Sequence, residues 1–252
     1  MAKPLSIQLY SVREAAAKDP VGVIRKIAAI GYKAVEFAGL YGRTPKEMRK
    51  ILDDAGLVAS STHTALPTKD NAGEIIDTAK TLGYQMVITG KGPKDFETLD
   101  AVKAAAGQFQ AGAALLRGAG LRLGYHNHWW EMNLVGGRLG LEVFLERAPD
   151  VFSQVDTYWA RNFGAVDVAA FVGKHKNRIP VLHLKDGPLV KDQPHTAIGK
   201  GKMDFAPIVK AADPKVLEWL IVELDSCATD MMQAVEDSYR FLTARGLAAG
   251  NR

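Results

Sequence analysis

Along the chain, short apolar runs rich in β-branched residues alternate with longer stretches in which apolar positions return every three or four residues. The short runs predict strands at 5–10, 33–38, 57–62, 85–89, 121–126, 151–156, 179–184 and 218–224. The longer stretches predict helices at 20–30, 44–55, 71–82, 95–119, 138–147, 166–175 and 228–245, with a shorter one near 204–211. Gly31, Gly56, Gly83 and Gly120 each follow a helix, where a left-handed residue ends the spiral.

Strict alternation of strand and helix demands parallel pairing and right-handed crossovers. Eight such units close most economically into a (β/α)8 TIM barrel, an α/β fold. An open doubly wound sheet is the alternative, but no Gly-x-Gly-x-x-Gly turn follows the first strand. No linker or low-complexity tract interrupts the alternation, so residues 1–252 read as a single TIM-barrel domain.

Composition changes this picture little. Hydrophobic residues make up 47% and charged residues 24%, enough apolar material for a continuous core. The formal charge of +4 is spread along the chain without a basic block that would track a phosphate backbone, so no nucleic-acid partner is expected. The opening MAKPLSIQLYSVRE lacks the apolar run of a signal peptide, and no stretch approaches the roughly 18 apolar residues of a membrane span. A cytoplasmic protein with no membrane contact is the expectation. Cys227 is alone and reads as a buried structural thiol.

In a barrel, chemistry belongs at the C-terminal ends of the strands. There the sequence offers Gln8, Glu36, His63, His126, His128, Glu131, Asp156, His183, Lys185, Glu223 and Asp225. Any one of them is as readily an ordinary hydrogen-bonding rim residue. Glu131, Asp156, His183 and Glu223, however, follow four successive apolar runs, which is hard to explain as solvation. Three carboxylates and one imidazole suit one divalent cation: Mn²⁺ first, with Mg²⁺, Co²⁺ or Zn²⁺ as alternatives.

Other positions extend the site. His126 and His128 lie two apart on one predicted strand and so face the same way, as ligands, substrate contacts or core residues. Lys185 at the mouth would neutralise an enolate or bind a sugar hydroxyl, although the following Gly187-Pro188 turn also suits a surface lysine. Gly199 and Gly201 precede a short helix whose amides could hold an anion such as phosphate; a plain tight turn is the competing explanation. Trp129, Trp130 and Trp159 cluster beside the ligand candidates, where they would stack on a sugar or pack the core. No Ser/His/Asp or Cys/His arrangement stands out.

The segments IQLYSVRE, GYKAVEFAG, GLVASSTHT, YHNHWWEM, VDTYWA, VLHLKD, AIGKGKMDF and VELD together resemble the sugar phosphate isomerase/epimerase family. That family belongs to the xylose isomerase-like TIM-barrel superfamily, which also holds endonuclease IV, inosose dehydratases and ketose 3-epimerases. The resemblance implies a single metal held by Glu131, Asp156, His183 and Glu223. In the epimerases the first glutamate is part of the fifth strand, whereas here that strand reads YHNH, so His126 or His128 is the alternative holder of that position. Such a site would be richer in imidazole and more zinc-like. Glu36, His63, His126, His128, Trp159 and Lys185 match or neighbour substrate-contacting positions.

The implied activity is isomerisation or epimerisation of a keto sugar through a cis-enediolate, with Glu131 and Glu223 as the acid/base pair. A lyase or dehydratase acting on a keto sugar, keto-glycoside or inosose shares the same metal and intermediate and is the alternative. A DNA-repair endonuclease is distant. The nuclease DTxH pattern reads Asp156-Thr157-Tyr158-Trp159 here, and the chain has only six histidines. A sugar-binding barrel without activity is more distant still. The expected partner is a small-molecule carbohydrate; barrels of this type often pair through rim loops, which makes a homo-oligomer compatible with the chain.

Overall fold

A computed structural model describes residues 2–251. Its strands are β1 (Lys3–Gln8), β2 (Ala34–Phe37), β3 (Val58–His63), β4 (Met86–Thr89), β5 (Arg122–His126), β6 (Phe152–Asp156), β7 (Val181–Leu184) and β8 (Trp219–Val222). They pair in parallel in sequence order, and β8 closes on β1 with Leu5 opposite Leu220 and Ile7 opposite Val222. The expected closed barrel is present. A two-residue strand, Ala248–Ala249, pairs with Lys3 and Pro4.

The helices are α1 (Arg13–Lys18), α2 (Pro20–Ile30), α3 (Pro45–Ala55), α4 (Ala72–Leu82), α5 (Leu99–Arg117), α6 (Gly140–Arg147), α7 (Thr157–Ala160), α8 (Val168–His175), α9 (Phe205–Ala211) and α10 (Met231–Ala244). Their starts are chemically marked. Thr44 and Glu47 form a capping box ahead of α3, with Pro45 at its first position, and the Asp19 side chain accepts from the Gly22 amide at the start of α2. The expected helix over 95–119 begins later, because Pro93–Phe96 forms a separate 3₁₀ turn. The expected helix over 138–147 loses its first residues to an antiparallel hairpin, Leu134–Val135 against Arg138–Leu139, closed by Gly136 and Gly137 with positive φ.

Alternation along the strands sorts the side chains into two compartments. Leu5, Ile7, Val35, Val87, Leu123, Tyr125, Val155, Leu182, Leu220 and Val222 belong to the large core shared with the helices. The other set forms a separate small cluster inside the barrel: Met86, Ile88, Phe152, Val181 and Ile221. Gly124 makes room for it, since a Cβ there would lie 2.3 Å from the Phe152 ring. Three of the four strands that contribute to this inner plug carry polar residues two or four positions further on, as Phe152–Gln154–Asp156, Val181–His183–Lys185 and Ile221–Glu223, whereas β4 runs from Met86 and Ile88 to Gly90. The same period that fills the bottom of the barrel therefore stacks the polar groups above it.

Candidate active site

Glu36 lies at the centre of the polar layer and is fully buried. It accepts from Gln8 Nε2 (2.7 Å), Ser61 Oγ (2.5 Å), Gln154 Nε2 (2.7 Å) and His183 Nε2 (2.6 Å). A shift in the β2–β3 register between Val35 and Glu36 lets two consecutive serines work inside: Ser61 reaches Glu36 while Ser60 meets Ser6 at 2.9 Å. Burial opposes ionisation of Glu36, but His63 and His183 outweigh it and hold its pKa well below the usual carboxylate range. Both carboxylate oxygens are thus engaged. Glu36 is an anchor for the imidazoles, not the open substrate contact that the sequence suggests.

His183 is held from both sides, with Nδ1 3.0 Å from Glu223 Oε2 and Nε2 2.6 Å from Glu36 Oε1. Burial favours the neutral ring, yet the two carboxylates prevail and raise its pKa to about 10. His126 behaves oppositely. Burial, reinforced by His183 and His63, pushes its pKa well down, so the ring is neutral. Gln154 donates through Nε2 to Glu36, so its Oε1 is the acceptor for both His63 Nε2 (2.7 Å) and His126 Nδ1 (2.9 Å). That fixes the His126 tautomer and leaves Nε2 with a free lone pair.

Lys185 is 1% exposed, so it is not a surface lysine. Its Nζ lies 3.0 Å from Asp156 Oδ2, 3.1 Å from Glu223 Oε2 and 2.9 Å from Asp225 Oδ1. Burial disfavours the ammonium, but these carboxylates outweigh it and raise the pKa well above the ordinary value. For Asp156, burial wins and raises the pKa; for Glu223, burial loses to Lys185 and His183, and the pKa falls well below normal. Asp156 Oδ1 caps α7 by accepting from the Trp159 amide, while its buried Oδ2 is ion-paired with Lys185 at 3.0 Å but makes no hydrogen bond.

His126, Asp156, His183 and Glu223 each offer one donor atom, and these atoms lie within 4.8 Å of one another. A neutral imidazole with a free nitrogen, a buried carboxylate oxygen outside any hydrogen bond, a second imidazole that would give up its proton on binding and a second carboxylate form a set that fits a divalent cation. The structure thus brings together three of the four predicted ligands and places His126 with them.

Glu131 is not in that group. It lies in a 3₁₀ turn, Trp130–Met132, where its carboxylate accepts from Tyr125 Oη (2.7 Å) and from the His128 amide (2.9 Å). Tyr125 belongs to the outer core with Phe96, Phe109 and Phe144, so the bond to its hydroxyl draws Glu131 to the helix side of the barrel wall. The strand ends at His126; His128, beyond it, keeps edge contact with the His126 ring at 5.2 Å and stacks on Trp130 with ring centroids 4.3 Å apart, but only His126 joins the donor group.

The tryptophans are joined by a residue the sequence did not single out. Phe163 lies 5.9 Å from Trp129 and 6.3 Å from Trp159, on a turn in which Asn162 and Phe163 both take positive φ. Trp159 Nε1 donates to Asp225 Oδ2 at 3.2 Å. His195, in the loop after β7, was likewise not foreseen, since no strand end announces it. Its Nδ1 accepts from the Asp225 amide, its ring packs against Tyr158 and Trp159, and burial, aided by Lys185, lowers its pKa to about 4.

The glycine turn proves to be filled from within. Buried Asp186 accepts from the amides of Gly187 (2.8 Å), Gly199 (2.9 Å), Gly201 (3.1 Å) and Met203 (3.1 Å). A Cβ at Gly201 would lie 2.0 Å from Asp186 Oδ1, and Gly199 takes φ +88. The anion at this turn is the chain's own carboxylate, which takes up the Gly199 and Gly201 amides. Cys227 is half-buried rather than buried, with Sγ 3.4 Å from Thr229 Oγ1. Among the described residues no helix is long and apolar enough to cross a membrane.

The family model described as xylose isomerase-like TIM barrel matches residues 24–245. A sugar phosphate isomerase/epimerase from Parabacteroides distasonis superposes with a TM-score of 0.80 at 26% identity, covering 99% of this chain and 96% of that one. An L-ribulose 3-epimerase superposes at 0.73 with 20% identity, covering 98% and 95% of the two chains. The IOLI protein, solved with a binding zinc atom, does so at 0.73 with 11% identity, covering 97% and 98%. No curated protein matches the chain in sequence.

Proposed function

The chain belongs to the xylose isomerase-like TIM barrel family, and from that premise we propose that it is a divalent-metal-dependent isomerase or epimerase of a keto sugar or sugar derivative, acting through a cis-enediolate. The observation that carries the reading is the convergence of donor atoms from His126, Asp156, His183 and Glu223 within 4.8 Å at the C-terminal mouth of the barrel. The sugar isomerase and epimerase neighbours and the zinc in one of them support it. Two imidazoles and two carboxylates suit Mn²⁺, Co²⁺ or Zn²⁺ better than Mg²⁺.

When bound, the ion would polarise adjacent oxygens of the keto sugar and acidify the proton beside the carbonyl. The protein's own groups supply the rest. Glu223, ionised next to Lys185 and His183, is the base candidate at the mouth. Lys185, held charged by three carboxylates, faces negative charge that builds on a substrate oxygen. Gln154 and Glu36 keep His126, His63 and His183 in orientation. Glu131, the other member of the expected acid/base pair, has its carboxylate turned towards Tyr125. With Glu223 the remaining member of the expected pair, a proton carried between neighbouring carbons by one base favours isomerisation.

Elemental analysis of purified wild-type, His126→Ala, Asp156→Ala and Glu131→Ala proteins tests the reading. One metal per chain, lost in the first two variants and kept in the third, is the expected result. Retention in His126→Ala with loss in Glu131→Ala would reverse the ligand assignment. Wild-type protein that takes up no metal after loading would remove the proposal.

A further inference from the structure

A cavity of about 630 Å³ opens between the loop after β1 and the loop after β8, and Asp225 belongs to its wall. The same Asp225 carboxylate holds Lys185 and Trp159, so the cavity begins one side chain away from the proposed catalytic centre. Its size falls in the range of about 300–1,000 Å³ that small-molecule sites occupy.

Its floor is fixed before any ligand arrives. Ser11 Oγ accepts from the Leu224 amide at 2.9 Å, tying the two loops together. Arg13 donates to the carbonyls of Tyr10 (2.7 Å) and Asp225 (3.1 Å) and lies 4.0 Å from the Tyr10 ring centroid. The charges on the wall are those of Arg13 and Lys18 against Glu14, Asp225 and Asp230. Two cations facing three carboxylates, with one cation already engaged, make a poor seat for a phosphate. Val12, Met231 and Met232 supply apolar surface beside the hydroxyls of Ser226 and Thr229. This mixture suits a neutral ring with polar edges and apolar faces.

We infer that this cavity is a second sugar subsite, and that the substrate is an uncharged glycoside of at least two rings rather than a monosaccharide or its phosphate. The inference rests on the mouth of the barrel being the catalytic centre. The filling of the glycine turn by Asp186 points the same way, because it takes up the Gly199 and Gly201 amides that the sequence offered to a phosphate.

Cys227, the sole cysteine, lines the cavity and reports on its occupancy. Alkylation by iodoacetamide is followed in metal-loaded protein with cellobiose, maltose and mono-keto derivatives of both, against glucose, glucose 6-phosphate and inorganic phosphate; calorimetry with the same compounds gives a readout independent of the thiol. At least one disaccharide should slow alkylation about tenfold at roughly ten times its dissociation constant, with glucose far weaker. Ser226→Trp, at an exposed position on the wall, should abolish that protection. Equal or better protection by glucose 6-phosphate or phosphate, no binding of any disaccharide by either method, or undiminished protection in Ser226→Trp would each overturn the subsite. Metal content separates the two readings: protection by a disaccharide in a protein that binds no metal keeps the subsite and removes the catalytic proposal, whereas metal without disaccharide binding does the reverse.

Discussion

Replacing Asp186 with asparagine keeps the shape of the side chain but exchanges one acceptor oxygen for a donor at a fully buried junction. Each carboxylate oxygen now takes two amides: Oδ1 those of Gly187 and Met203, Oδ2 those of Gly199 and Gly201. Asparagine can serve one pair and must confront the other with its own N–H groups. Hydrogen bonds to a charged partner contribute about 1.5–3 kcal/mol each, so the loss of two gives an expected destabilisation of roughly 3–6 kcal/mol. That is a large share of the roughly 5–15 kcal/mol that holds a typical domain together. Urea unfolding followed by circular dichroism, with the slope unchanged and the midpoint lowered, measures it. Asp204→Asn is the matched control. Asp204 caps α9 from an exposed position, where asparagine caps as well as aspartate, so a change within about 0.5 kcal/mol is expected. A loss below about 1 kcal/mol in Asp186→Asn would refute the convergence of four amides on this carboxylate.

Three further outcomes follow from the geometry. His195 is buried neutral with a pKa near 4, against about 6.5 when unfolded, so its contribution is complete above pH 6.5, declines as the pH falls and is gone below about 4. That interval corresponds to roughly 3 kcal/mol; His195→Asn, which preserves an acceptor for the Asp225 amide, should flatten the stability curve across the window, and an unchanged curve would exclude His195 as its source. Tyr125→Phe removes a donor from buried Glu131 and the acceptor of the Lys91 amide, at an expected cost of about 1–3 kcal/mol by urea unfolding; no measurable change would mean that Glu131 is satisfied elsewhere. Glu223→Gln should leave the fold intact and stop both turnover of a ketose and solvent-deuterium incorporation, whereas full activity would remove Glu223 from the proposed chemistry.

The barrel was legible because its punctuation is local. Gly31, Gly56 and Gly83 stop helices with positive φ, and the apolar runs that follow are central strands. Asp156 and His183 were equally legible, since they lie on strands and are set opposite each other in the β6–β7 register. Glu131 was misplaced because it lies beyond its strand: once β5 ends at His126, the period of two no longer says which side of the wall a residue faces. The contest was settled by Tyr125, whose hydroxyl needed a partner in the outer core. Parity alone would have favoured His126, since it follows Gly124 on the inward face. Asp186 and His195 act through a loop that folds back on itself, and nothing in their immediate neighbours signals contacts up to 17 and 30 residues away. The hairpin at 134–139 did carry a signal, the Gly136-Gly137 pair between Leu134-Val135 and Arg138-Leu139, which the helical reading of 138–147 overrode.

Asp186 also determines how this chain can be cut. Its carboxylate binds both the start and the return of the loop between Gly187 and Met203, and within that excursion Val190 to Gln193 are exposed. A protease entering there would sever one peptide bond while the amides of Gly199, Gly201 and Met203 still bound the second fragment to Asp186 on the first. The same clasp makes Val190 to Gln193 the place to join a foreign segment or to divide the gene into two separately expressed halves, because covalent continuity at that point is not what keeps the seventh strand beside the eighth.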